Sequence, residues 1–66
     1  MLNLTKIAVD AMGGDGSPKK IIDGIIHNHS KEKENFFKIF GDKSQIHDLI
    51  SKKIDQKFYE IIDTTK

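Results

Sequence analysis

Cysteine is absent from all 66 residues. Neither a disulfide nor a zinc-thiolate site can therefore staple the chain. Long hydrophobic runs are absent too, and nothing approaches the ~20 apolar residues that a membrane helix needs. Met1 to Lys6 lacks the extended apolar core of a secretory signal. Charge of one sign is not in excess: eleven basic residues against ten acidic ones leave a formal net charge of +1. That balance argues against a nucleic-acid protein driven by bulk charge. Length is itself scarce. One small domain, residues 1–66, is the most the chain can form, and a chain of this size buries only about 60% of its unfolded surface. Charged residues make up 32% and hydrophobic ones 36%, a slightly polar balance for which a cytoplasmic protein is the simplest expectation.

What is present is organised around Ile7 to Pro18. Ile7, Ala8 and Val9 form a compact apolar run, as in a strand covered on both faces. Asp10 ends it. Gly13, Gly14 and Gly16 then free the backbone for a bend. Ser17 is suited to N-cap the helix that follows, with the single proline, Pro18, at its first position. Such a bend brings amides, at the positive end of a helix, to the carboxyl edge of a sheet. Open α/β folds bind ligands at that edge.

Beyond the bend, Ile21, Ile22, Ile25, Ile26 and His29 make a helical stripe from Pro18 to about Ser30. Gly24 lies off the stripe, a cost that another backbone passing close by would justify. Residues 30–35 form a charged connector. Asn35 to Phe40 reads as a second strand, with Phe36, Lys38 and Phe40 on one face and Phe37 and Ile39 on the other. Gly41-Asp42 closes it, and Asp42 with Gln45 makes a loose capping box. Ile46, Leu49, Ile50 and Ile54 mark a second helix from Lys43 to about Ile54. Asp55 to Lys57 turns into a third strand, Phe58 to Ile62. Met1 to Thr5 reads as a loose lead-in, and Asp63 to Lys66 trails off. The order β-α-β-α-β specifies an α/β fold with a parallel sheet and right-handed crossovers. It is a half-domain of three-layer type, the start of a Rossmann-like doubly wound fold. If the strands add progressively to one side, both helices share a face. The face of Lys38 and Glu60 is then the less covered one.

Each candidate site has a plainer alternative. The bend would bind phosphate or a phosphate-bearing group through its amides, the helix dipole and Lys19 and Lys20; the alternative is a tight turn only. It fits no dinucleotide fingerprint, since Lys19 stands where the third glycine belongs, and no Gly-Lys-Ser/Thr follows for a P-loop. Asp10 and Asp15 flank the bend. They are suited to metal or acid–base work, but hydrogen bonds to bend amides explain them equally simply. His27 and His29 point about 200° apart on a helix and share no metal. His29 reads as a partly buried or dipole-stabilised residue. Lys38 and Glu60 read as a cross-strand ion pair.

Asp10-Ala11-Met12-Gly13-Gly14-Asp15 followed by Pro18 resembles the N-terminal signature of bacterial phosphate acyltransferases. Gly24, Gly41-Asp42 and Thr64-Thr65 add weaker support. Gly16 and Asp63 depart from the family, which often carries a larger side chain and a His at these places. The resemblance runs along the whole chain, yet members are several-fold longer, so it covers only their beginning. It implies an enzyme that moves a fatty acyl group from acyl carrier protein to inorganic phosphate, giving acyl phosphate for phospholipid synthesis. It also implies a homodimer when full length, and it leaves peripheral membrane association open. It marks Asp10, Met12, Gly13, Gly14, Asp15 and Lys19 as candidate phosphate- or substrate-binding residues, with no catalytic residue assigned. No cofactor and no metal are expected. The competing expectations are an inactive, truncated remnant and a small anion- or nucleotide-binding half-domain.

Overall fold

The computed structural model describes residues 4–65. Of the expected lead-in, Met1 to Thr5, residues 1–3 lie outside the described residues, as does the last residue, 66, while Thr5 already belongs to the first strand. Strand β1 spans Thr5–Asp10, helix α1 Lys19–Lys31, strand β2 Asn35–Gly41, helix α2 Lys43–Ile50 and strand β3 Tyr59–Asp63. A 3-10 turn, Gln56–Phe58, precedes β3. The three strands are parallel and lie in the order β1-β2-β3. This is the α/β architecture that the alternating pattern specifies.

Because each crossover steps the same way, both helices fall on one face. Phe37 and Ile39 of β2 point into that layer and are buried. Ile22 and Ile25 of α1, Ile46 and Ile50 of α2, and Ile54 complete the core with Ala11. Four isoleucines, Ile22, Ile39, Ile46 and Ile50, are fully buried. Each contributes about 1.5–3 kcal/mol by leaving water. The opposite face carries Lys38 and Glu60, both exposed, between the half-buried Phe36, Phe40 and Ile62. That is the less covered face expected from the pattern.

Several local expectations are corrected. The β1 strand is not covered on both faces: it is an edge strand, and Ala8 is exposed. Lys38 and Glu60 sit opposite each other in register, but the ion pair found within 4 Å among the described residues is Lys19–Asp23. Helix α2 ends at Ile50 rather than Ile54. The amides of Lys53 and Ile54 both donate to the Ile50 carbonyl, at 2.9 and 3.1 Å. The tightened turn keeps Ile54 buried at helical spacing after the helix has ended. Phe58 belongs to the 3-10 turn, so β3 starts one residue late. Gly24 has no atom of another element within 4 Å of the place a Cβ would occupy. Close backbone packing therefore does not explain it. Residues 63–65 do not trail off, since Thr64 N donates to the Gly41 carbonyl at 2.9 Å.

Candidate functional site

Strand β1 delivers the bend to the carboxyl edge of the sheet. Its last residue, Asp10, pairs with Phe40. Ala11 N then donates to the Phe40 carbonyl at 2.9 Å, which ties the start of the bend to β2. The Asp10 carboxylate accepts from Met12 N at 3.0 Å. This is an Asx turn, in which a short carboxylate side chain replaces a backbone carbonyl two residues upstream. Asp10 thus shapes the bend. Asp15 does not: it is exposed and accepts no bend amide among the described residues.

Gly14 has φ +87° and Gly16 φ +81°. Both lie in the left-handed region, where a Cβ is strained. Gly13 does not need that freedom, and its carbonyl accepts the Ser17 hydroxyl at 2.6 Å. Ser17 is therefore not the N-cap. Pro18 takes that position, α1 starts at Lys19, and no side chain caps it. Residues 13 to 16 are exposed, and their amides donate to no other described residue. No atom of another segment lies within 4 Å of the Cβ positions of Gly13 and Gly14. The main chain there is open to an approaching ligand.

Of the two lysines at the start of α1, Lys19 reaches forward to Asp23, with Nζ 2.7 Å from the carboxylate. Lys20 is the one beside the bend. Its Cβ and Cδ lie 3.6 and 3.8 Å from where a Gly16 Cβ would stand. Met12 is 41% exposed, yet its Cγ and Sδ lie 2.7 and 3.0 Å from the Cβ position of Gly41. Spacing along the chain carries no sign of that contact.

The other strand ends meet the same edge. Asp42 accepts from Ser44 N and Gln45 N at 3.1 and 3.3 Å, and Gln45 Nε2 returns to its second oxygen at 2.9 Å. Asp42 thus caps the helix as expected, but Gln45 reaches back to its carboxylate rather than to its backbone N–H, so the reciprocal bond of a capping box is not the one made. Asp63 accepts from both Thr65 N, at 3.1 Å, and the Thr65 hydroxyl, at 2.7 Å. These bonds, the hydroxyl's first, hold the Asp63 carboxyl below its usual range. Asp10, Asp42 and Asp63 therefore each brace their own loop. No group of three His, Cys, Asp or Glu among the described residues is placed to share a metal ion.

Two open grooves lie nearby. One of about 390 Å³ runs between the helix starts, along Ser17, Pro18, Lys19, Gln45, Asp48 and Leu49. A larger one, about 510 Å³, follows the free edge of β3 past Lys43, His47 and Tyr59. Neither is lined by the bend glycines. His29 packs far from this edge, its ring 4.7 Å from that of Phe58.

Comparison with known proteins adds a family. Residues 5–66 match the family described as fatty acid synthesis protein. Over 64 residues the chain is 52% identical to a phosphate acyltransferase of Pelagibacter ubique, covering 97% of this chain and 19% of that one. A phosphate acyltransferase of Ligilactobacillus salivarius is 38% identical over 63 residues, 96% of this chain and 18% of its own. One from Oenococcus oeni is 40% identical over 60 residues, 91% and 17% respectively. The chain thus spans less than a fifth of the length of these curated relatives.

Proposed function

The chain belongs to the fatty acid synthesis protein family, and on that premise we propose that it is the opening segment of a phosphate acyltransferase. The reaction proposed moves a fatty acyl group from acyl carrier protein to inorganic phosphate. A phosphate oxygen attacks the thioester carbonyl, the new C–O bond forms, the C–S bond breaks and the carrier thiol leaves. The bend supplies positioning and charge stabilisation for the attacking anion. The observation that carries this reading is the open main chain from Gly13 to Gly16, with Gly14 and Gly16 at positive φ. Asp10 shapes the bend through Met12 N, Met12 borders it and Asp15 lies exposed within it. The Lys20 stem runs beside Gly16, while Lys19 is engaged by Asp23.

In this reading residues 1–66 are the N-terminal part of a single α/β domain, and the missing walls of the cleft come from the rest of the enzyme. A cytoplasmic homodimer is the proposed whole. No helix among the described residues is long and apolar enough to cross a membrane.

The test joins this chain to the remainder of the Pelagibacter relative, in place of the matching segment. Acyl phosphate should form from acyl carrier protein and phosphate in the completed enzyme, and not with the 66-residue chain alone. A folded but inactive hybrid would favour the remnant reading. Product formed by the purified chain alone would refute the division of labour.

A further inference from the structure

We infer that Gly41 is a positioning residue for the bend, acting through Met12; this rests on the anion-binding reading of that bend. Three loops of the carboxyl edge meet at Gly41. The Met12 side chain from the β1 loop lies over it, with Cγ at 2.7 Å and Sδ at 3.0 Å from its Cβ position. Ile46 of α2 presses from the core, with Cδ1 at 2.8 Å from the same point. The loop after β3 is tied on by Thr64 N, which donates to the Gly41 carbonyl at 2.9 Å. Real Cβ atoms do not tolerate neighbours this close, so any other residue must displace both Met12 and Ile46.

The two neighbours differ in what they can yield. Ile46 is fully buried in the core. Met12 is 41% exposed and has an unbranched, flexible chain. A Cβ at position 41 therefore strains the core against Ile46 and pushes the more mobile Met12 aside. Met12 is bonded through its own amide to Asp10 and leads directly into Gly13 and Gly14. Lifting it shifts the exposed amides of the bend that follow it. Geometric tolerance at such sites is narrow. Gly41 thus keeps the bend seated without touching the ligand.

The experiment follows the backbone amides of the 66-residue chain by NMR, with inorganic phosphate as the probe at constant ionic strength. Unmodified chain, Gly41→Ala, Met12→Ala, Gly41→Ala with Met12→Ala, and Gly41→Ala with Ile46→Val are compared. The Ile46→Val change removes the core-side clash. The expected result has four parts. The Gly13, Gly14 and Gly16 amides shift in Gly41→Ala and in Met12→Ala before phosphate is added. The phosphate dissociation constant rises about tenfold in each. Adding Gly41→Ala to Met12→Ala changes it little further. Relief by Ile46→Val restores thermal stability but not phosphate affinity. Full recovery of affinity with Ile46→Val, or an unaltered bend in Met12→Ala, would overturn the inference. Random-coil bend amides in the unmodified chain would also overturn it. If the unmodified chain ignores phosphate while the bend amides still move with Met12 and Gly41, the coupling stands and the bend by itself does not hold the anion.

Discussion

Four aspartates use the same device. Asp10, Asp42, Asp55 and Asp63 each accept from the amide two residues on, at 3.0 to 3.1 Å. Three of them stand at strand ends, and Asp55 opens the 3-10 turn. Short carboxylates followed by turn residues are a readable signal, and it was legible at Asp42 with its Gln45 partner. At Asp63 the Thr65 hydroxyl adds a second bond that spacing alone does not announce. Met12 on Gly41 had no such signal, because the two are far apart in sequence and only the β1-β2 register brings them together. Two single-residue outcomes follow. Gly24 is exposed within α1 with nothing near its Cβ position, so Gly24→Ala should raise the chain's stability by about 1 kcal/mol in urea titrations. No gain would mean that the helix is frayed there. His29 is buried, its Nδ1 has no partner among the described residues, and burial followed by the nearby Lys33 charge lowers its pKa. The unfolded state then binds the proton more readily than the folded one. Stability is full above the ordinary value of 6.5 and falls as pH drops through the lower folded value. Thermal midpoints measured from pH 7 downward should show this slope, and His29→Leu should remove it. The Asp63 shift acts in a separate, more acidic window, below its ordinary 3.8.

Elements are legible where periodicity acts over short range. The α1 stripe buries Ile22, Ile25 and His29 as spaced. Alternation in β2 places Phe37 and Ile39 inward with Lys38 outward. Boundaries were less legible, because hydrogen bonding rather than spacing ends an element. Ile54 keeps its place in the core although α2 stops at Ile50. Ser17 was expected to cap α1, but its hydroxyl is drawn to the Gly13 carbonyl. An apolar run such as Ile7 to Val9 does not say which of its faces this chain covers. The one-sided layering has an energetic consequence. Ile39 is fully buried under the helices, while Ile62 is half-buried on the other face. Ile39→Ala should cost about 2–5 kcal/mol, enough to abolish cooperative unfolding in a domain this small. Ile62→Ala should leave the transition in place with a modest shift. Equal losses at the two positions, followed by circular dichroism, would contradict the layering.

At the scale of the molecule, three parallel strands carry both helices on one face. A parallel sheet is normally covered on both faces, and here the face of Phe36, Phe40 and Ile62 has no helix above it among the described residues. Relatives more than five times as long have ample chain to supply such a cover. The fold and the family were legible because the strand, glycine bend and helix lie within one short stretch. The chemistry was less so, because a bend can be a turn or an anion site with the same residues. The central claim is that this bend holds phosphate. Gly14 has positive φ and open space around it, so Gly14→Val strains the main chain without clashing with the core. The deciding measurement is the rate of acyl phosphate formation against phosphate concentration, in the hybrid enzyme with and without Gly14→Val. The account predicts a folded variant whose kcat/KM for phosphate falls by about tenfold or more, with the KM for acyl carrier protein little changed. Normal phosphate kinetics in a well-folded Gly14→Val enzyme would contradict it and reduce the bend to a turn.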